Sequence, residues 1–148
     1  MVRGHGAGGG EGGRAQLTDT IGGTIAWCFP SHQTSLSLSQ GAVGHLQGGC
    51  VAHNGGSGVG CDNGAEIRVD GAVVERNGYN AVESHGRGCL AVVTDTVCCW
   101  NKHAGLAAIN AAVIRGRHLL LRENSTGVRS RSKARAGVVV HGDARGDE

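Results

Sequence analysis

Proline and aromatic side chains are almost missing from this chain. Its 148 residues hold one Pro (Pro30), two Trp (Trp27 and Trp100), one Tyr (Tyr79) and one Phe (Phe29). So few rings leave little with which to stack sugars. A lone proline, and glycines without a three-residue period, exclude a collagen-like chain although 28 residues are Gly. Long apolar runs are missing too: none approaches the ~20 residues of a membrane-spanning helix, so no membrane contact is expected. The first 14 residues, MVRGHGAGGGEGGR, lack the apolar block of a secretory signal.

A hydrophobic content of 39% against 18% charged residues is compatible with a folded core, and the length fits one domain. Six cysteines are present: Cys28, Cys50, Cys61, Cys89, Cys98 and Cys99. None forms a C-x-x-C pair and no His stands at zinc-finger spacing, so neither a metal site nor another cofactor is expected. The even count permits disulfides. Without a secretory signal, free buried thiols are the better expectation, which favours an intracellular setting; nothing else fixes a compartment. The net charge of +2 is uneven. Residues 115–135 carry seven Lys or Arg against one acid, and the rest carries seven against eleven. That basic stretch suits a solvated, turn-rich face, and with no nucleic-acid-binding motif in the chain a nucleic-acid partner is not expected.

The main signal is an internal repeat. Four asparagines, Asn54, Asn77, Asn101 and Asn124, sit in matching contexts (CVAHNGGSGV, VVERNGYNAV, CCWNKHAGL and LLRENSTGV) at spacings of 23, 24 and 23. Ser31 holds the same place one step earlier. Three residues before this column stand Cys28, Val51, Val74, Cys98 and Leu121. Five after it stand Leu36, Val59, Val82 and Leu106, with Val128 one residue short. Short β-branched runs broken by Gly and Asn turns at this period predict a coil of three short strands. Each is too small to bury a face alone and stacks on its equivalent in the next coil, ~4.8 Å away. Helical repeats of this length need apolar residues at i, i+3 and i+4 and fewer glycines.

The recurring pattern V-x-x-N-G-x-x-G-V resembles the right-handed parallel β-helix repeat of the pectate-lyase-like superfamily and of carbohydrate-binding and sugar-hydrolase-type repeats, over about residues 21–142. The resemblance implies an all-β, right-handed parallel β-helix of about five coils. Residues 1–16 are then a flexible Gly-rich tail, 17–142 the solenoid and 143–148 a polar end. It further implies that Asn54, Asn77, Asn101 and Asn124 form a structural ladder at the turn between the second and third strands, where Asn tolerates a left-handed backbone. Asn124-Ser125-Thr126 spells a glycosylation sequon, but a buried ladder residue is not expected to be modified.

In enzymes of this fold the substrate groove follows the outer face of strand one. The equivalent column here reads His45, Arg68, Val92, Arg115, Val139, with Asp70 and Arg117 beside it. His45, Arg68, Asp70, Arg115 and Arg117 are therefore the candidate ligand-binding residues, for an acidic glycan. No paired-Asp, Gly-His-Gly or Arg-Ile-Lys set is found, and Ser84-His85-Gly86 is only a fragment, so no catalytic residue is assigned. Strand two is apolar on both sides. Its outward column Trp27, Cys50, Val73, Val97, Leu120 is the candidate interface. The expected function is a non-catalytic binding or assembly module. A second copy or a larger assembly would meet the strand-two face or the open coil ends. The alternative is a polysaccharide lyase or hydrolase-like domain acting on an acidic glycan.

Overall fold

The computed structural model describes residues 14–18, 36–131, 137–141 and 145–146. They form a parallel β-solenoid with no helix. Strands β1 (Arg14–Thr18) and β2 (Leu36–Leu38) precede four full coils. The first coil is β3 (Val43–Gln47), β4 (Cys50–Ala52) and β5 (Val59–Asp62). The second is β6 (Glu66–Asp70), β7 (Val73–Glu75) and β8 (Val82–His85). The third is β9 (Leu90–Thr94), β10 (Val97–Cys99) and β11 (Ala104–Ile109). The fourth is β12 (Val113–Arg117), β13 (Leu120–Arg122) and β14 (Thr126–Arg131). Strands β15 (Gly137–His141) and β16 (Arg145–Gly146) open a further coil.

The strands stack into three sheets: six strand-one members (β1, β3, β6, β9, β12, β15), five strand-two members (β4, β7, β10, β13, β16) and five strand-three members (β2, β5, β8, β11, β14). Val43, Glu66, Leu90, Val113 and Gly137 share one column, so successive coils are 23, 24, 23 and 24 residues long. The added residue of the second coil lies between β8 and β9, in Gly86-Arg87-Gly88-Cys89. Asp62 pairs with His85 and Glu66 with Leu90 across that longer link.

Three expectations need correction. About five coils were anticipated and four are complete, because the copy beginning at Gly137 supplies only β15 and β16 among the described residues. The tail assigned to residues 1–16 yields its last three to β1, which pairs Arg14 with Val43 and Thr18 with Gln47. That offset is longer than the repeat, so the period could not reveal it. The end assigned to 143–148 contains β16, whose Arg145 and Gly146 pair with Leu120 and Leu121.

Alternation along each strand packs the interior. Ile67, Ala91 and Ile114 stack inward from the strand-one sheet. Val51, Val74, Cys98 and Leu121 do so from strand two, and Val59, Val82 and Leu106 from strand three. Burying each Val or Leu contributes about 1.5–3 kcal/mol.

The asparagine ladder is continuous. Asn54 Nδ2 donates to Asn77 Oδ1 (2.8 Å), Asn77 Nδ2 to Asn101 Oδ1 (2.9 Å) and Asn101 Nδ2 to Asn124 Oδ1 (2.9 Å). Each of these acceptors also takes the backbone N–H of the preceding rung, at 3.2, 3.0 and 3.0 Å. Asn54 Oδ1 is buried without a partner, and Ser31, the rung assigned before it, lies outside the described residues. The left-handed residue of this turn is not Asn but the one before it: His53 (φ 60°), Arg76 (51°), Trp100 (54°) and Glu123 (50°). The backbone must bend one residue early so that the amide can point inward. That conformation costs about 1–2 kcal/mol in a residue with a Cβ, and the captured N–H of the following Asn offsets it. The glycine that follows at a distance of four has a steric cause. A Cβ at Gly58 would stand 2.5 Å from Val74 Cγ1 and 2.8 Å from Asn77 Nδ2.

Replacing Asn77 with Ala breaks both amide links and strands the Asn54 N–H. Urea denaturation should show a loss of roughly 3–5 kcal/mol, at about 1–3 kcal/mol per unsatisfied buried group. At the corner after strand three, Ala111 (φ 65°) stands where the preceding coils have Gly64 (φ 80°) and Gly41 (φ 73°). Ala111→Gly should therefore raise stability by about 0.5–1 kcal/mol in the same assay.

Candidate functional site

Parallel stacking converts each repeat position into a row of side chains. The strand-one sheet places His45, Arg68, Val92, Arg115 and Val139 in one outward column, as the repeat predicts. Asp70 and Arg117 lie in the neighbouring column, separated by Thr94. All five ligand candidates thus share one face without converging on a point. Arg68 and Arg115 flank β9, two strand spacings apart or ~9.6 Å, with Val92 between them. Arg68 contacts Glu66 at 3.5 Å, an exposed pair worth little. Arg115 and Arg117 are exposed and make no ion pair among the described residues.

The strand-two sheet places Cys50, Val73, Val97 and Leu120 in one column. Each is partly exposed, while Val51, Val74, Cys98 and Leu121 are buried on the opposite side. Trp27, the fifth member of that candidate stripe, lies outside the described residues.

At the corner after strand three, Asp62 and His85 are register neighbours. His85 Nε2 meets Asn110 Nδ2 at 2.7 Å. Ser84, which precedes His85, is fully buried and accepts from Cys61 Sγ at 3.4 Å, so it faces the core. Ser57 Oγ and Asn80 Nδ2 both donate to Glu83 Oε2, at 2.7 and 2.8 Å. These bonds tie that carboxylate to the turn. The sequon residue Asn124 engages its amide in the ladder, Oδ1 accepting from Asn101 Nδ2 and Nδ2 donating to Cys98 O at 2.8 Å. Among the described residues, no three His, Cys, Asp or Glu gather around a common metal position.

The corner between strands two and three holds a cluster the sequence did not announce. Arg76 lies over the Trp100 ring, 4.7 Å from its centroid, and contacts Glu75 at 3.2 Å. Tyr79 stacks on His103 with centroids 4.2 Å apart and planes tilted by 46°. Trp100 is 50% exposed and Tyr79 41%. The available clue was their shared placement, one residue before and two after the ladder Asn in adjacent coils.

Cys61, Cys89, Cys98 and Cys99 are buried thiols, and Cys50 is partly exposed. Burial pushes Cys61 and Cys98 up from 9.0 to about 12, and for Cys61 the hydrogen bond with Ser84 only partly opposes it.

The chain matches no protein-family model, no curated protein and no solved structure. Its class, a parallel β-solenoid, is defined by its own geometry.

At about pH 8 a thiol reagent should modify Cys50 in the native protein and leave Cys61 and Cys98 untouched until the chain unfolds; peptide mapping reads this directly. Unfolded thiols ionise above 9.0, whereas these two hold their protons to about 12. Below the lower value they contribute no pH dependence. Between the two values the folded state binds more protons, so stability falls as pH rises, by up to roughly 1.4 kcal/mol per pH unit for each thiol. Urea midpoints measured across that window should drop, and less so in Cys98→Ala.

Proposed function

We propose that this chain is a non-catalytic assembly module whose docking element is the strand-two sheet and whose partner is a second copy of itself. The carrying observation is the register. It puts Cys50, Val73, Val97 and Leu120 on the outer side of the sheet in one partly exposed apolar row, with an equally apolar row behind it in the core. A sheet apolar on both sides gains by being covered on both. The row repeats at the ~4.8 Å coil spacing, so the same row on another copy can mesh with it.

Membership in the pectate-lyase-like superfamily is part of this reading. The coil length and the amide ladder at the turn between strands two and three support it. A sugar-cleaving role has weaker support: the carboxylates on the outer face of strand one, Glu66 and Asp70, stand at the two ends of β6, about 13 Å apart along the strand, farther than the pair that glycoside hydrolysis calls for.

Light scattering on the purified chain should give a dimer or larger species at micromolar concentration. Val73→Asp combined with Val97→Asp should give a monomer with an unchanged β-rich circular dichroism spectrum. A wild-type chain that stays monomeric at every concentration overturns the reading.

A further inference from the structure

We infer that Cys61 and Cys89 form a paired oxidation site, two thiols that a peroxide converts into a disulfide stapling the first coil to the second. The pair lies at the corner after strand three, on a different side of the winding from the strand-two row, so its test stands apart from that of self-assembly.

This corner departs from the repeat in two ways at once. The residue just before strand one is Ala42, Ala65 and Ala112 in the other links, all buried, but here it is Cys89. Backbone bonds keep it in that column: Leu90 N–H donates to Ala65 O (3.2 Å) and Val113 N–H to Cys89 O (3.0 Å). The link that carries Cys89 is also the one with the added residue. A thiol thus stands where the column otherwise holds a methyl group, in the link that is lengthened to admit it. The three Ala links close the same corner without either change.

The thiol finds a partner there. The side chains of Cys61 and Cys89 are hydrogen-bonded to each other, so the two sulfurs are neighbours. Further bonds orient them. Cys61 Sγ donates to Ser84 Oγ (3.4 Å), Cys89 Sγ donates to His85 O (3.0 Å), and Gly64 N–H donates to Cys89 Sγ (3.1 Å). A backbone N–H aimed at sulfur favours the anion, which makes Cys89 the attacking thiol. Cys61, pushed up to about 12 by burial, is the resolving one. The cover over Cys89 is thin. Gly64 and Gly88 are exposed, and a Cβ at Gly88 would stand 3.7 Å from Gly64 Cα. Hydrogen peroxide needs only a small opening between these glycines, whereas a bulkier thiol reagent needs the corner unfolded.

The Cys89 thiolate attacks one peroxide oxygen and the O–O bond breaks. The departing hydroxide takes a proton and leaves as water, and Cys89 carries a sulfenic acid. The Cys61 sulfur then attacks the Cys89 sulfur, the S–O bond breaks, and a second water carries away the Cys61 proton. The two thiols lose two electrons and two protons, and the peroxide gains them. The sulfurs must close to about 2 Å. Gly86 (φ 96°) and Gly88 (φ 81°), on either side of Arg87, give the link the freedom to do so.

The reduced full chain, treated with a few equivalents of hydrogen peroxide, should yield a cross-linked peptide joining Cys61 to Cys89 in tandem mass spectrometry. Its melting temperature should rise by about 5–10 °C and fall back with dithiothreitol. Cys89→Ala restores the residue of the other links, so it should fold, form no such cross-link and show no such rise. Cys61→Ser should instead leave Cys89 heavier by one oxygen. The inference is overturned if Cys61 and Cys89 stay reduced when Cys50 is already oxidised, or if either joins a different cysteine. It is overturned equally if their cross-link forms only in urea, or forms in the folded chain and leaves the melting temperature unchanged.

Discussion

The amide ladder is the constraint on which the molecule depends. A buried side-chain amide tolerates no unpaired polar atom at low cost, so each Asn must lie over the next, and that fixes the height and rotation of every coil. The sheets follow from this registration. Strands of three to six residues in the described coils are too short to hold a position by themselves, but a column pinned at one corner aligns the rest. The ladder also has a direction: Asn77, Asn101 and Asn124 each accept from the coil before.

This explains which parts of the structure were legible in the sequence. Inward columns repeat because each position admits few solutions: small or branched apolar residues in the core columns, Asn at the ladder, Gly at Gly58 where a Cβ would strike Val74 and the amide of Asn77. Outward columns have no such rule. His53, Arg76, Trp100 and Glu123 share a backbone conformation and nothing else, so the periodicity is silent there even though Arg76 and Trp100 touch. Strand β1 escaped because its pairing skips the repeat length. The left-handed residue was displaced by one because an amide that bonds across coils cannot also stand at the bend.

The three faces offer different chemistries from one scaffold. Strand one spreads cations among valines and a leucine without focusing them. Strand two presents a narrow apolar row, while the corner beyond it collects rings and basic groups on pinned backbone. None of this requires a cavity; what the coil supplies is spacing, and recognition by such a body is recognition by a ruled surface.

The coil lengths carry one further consequence. The second coil is longer than the first by a residue, and the difference falls wholly in Gly86-Arg87-Gly88-Cys89, while the strands above and below stay in register. That corner lies opposite the ladder in the winding, so extra chain inserted there loops outward and shifts no rung. It is the natural point for growth: a lengthened link would rise beside the strand-one sheet as a wall, and a flat surface would become a cleft without any change to the core.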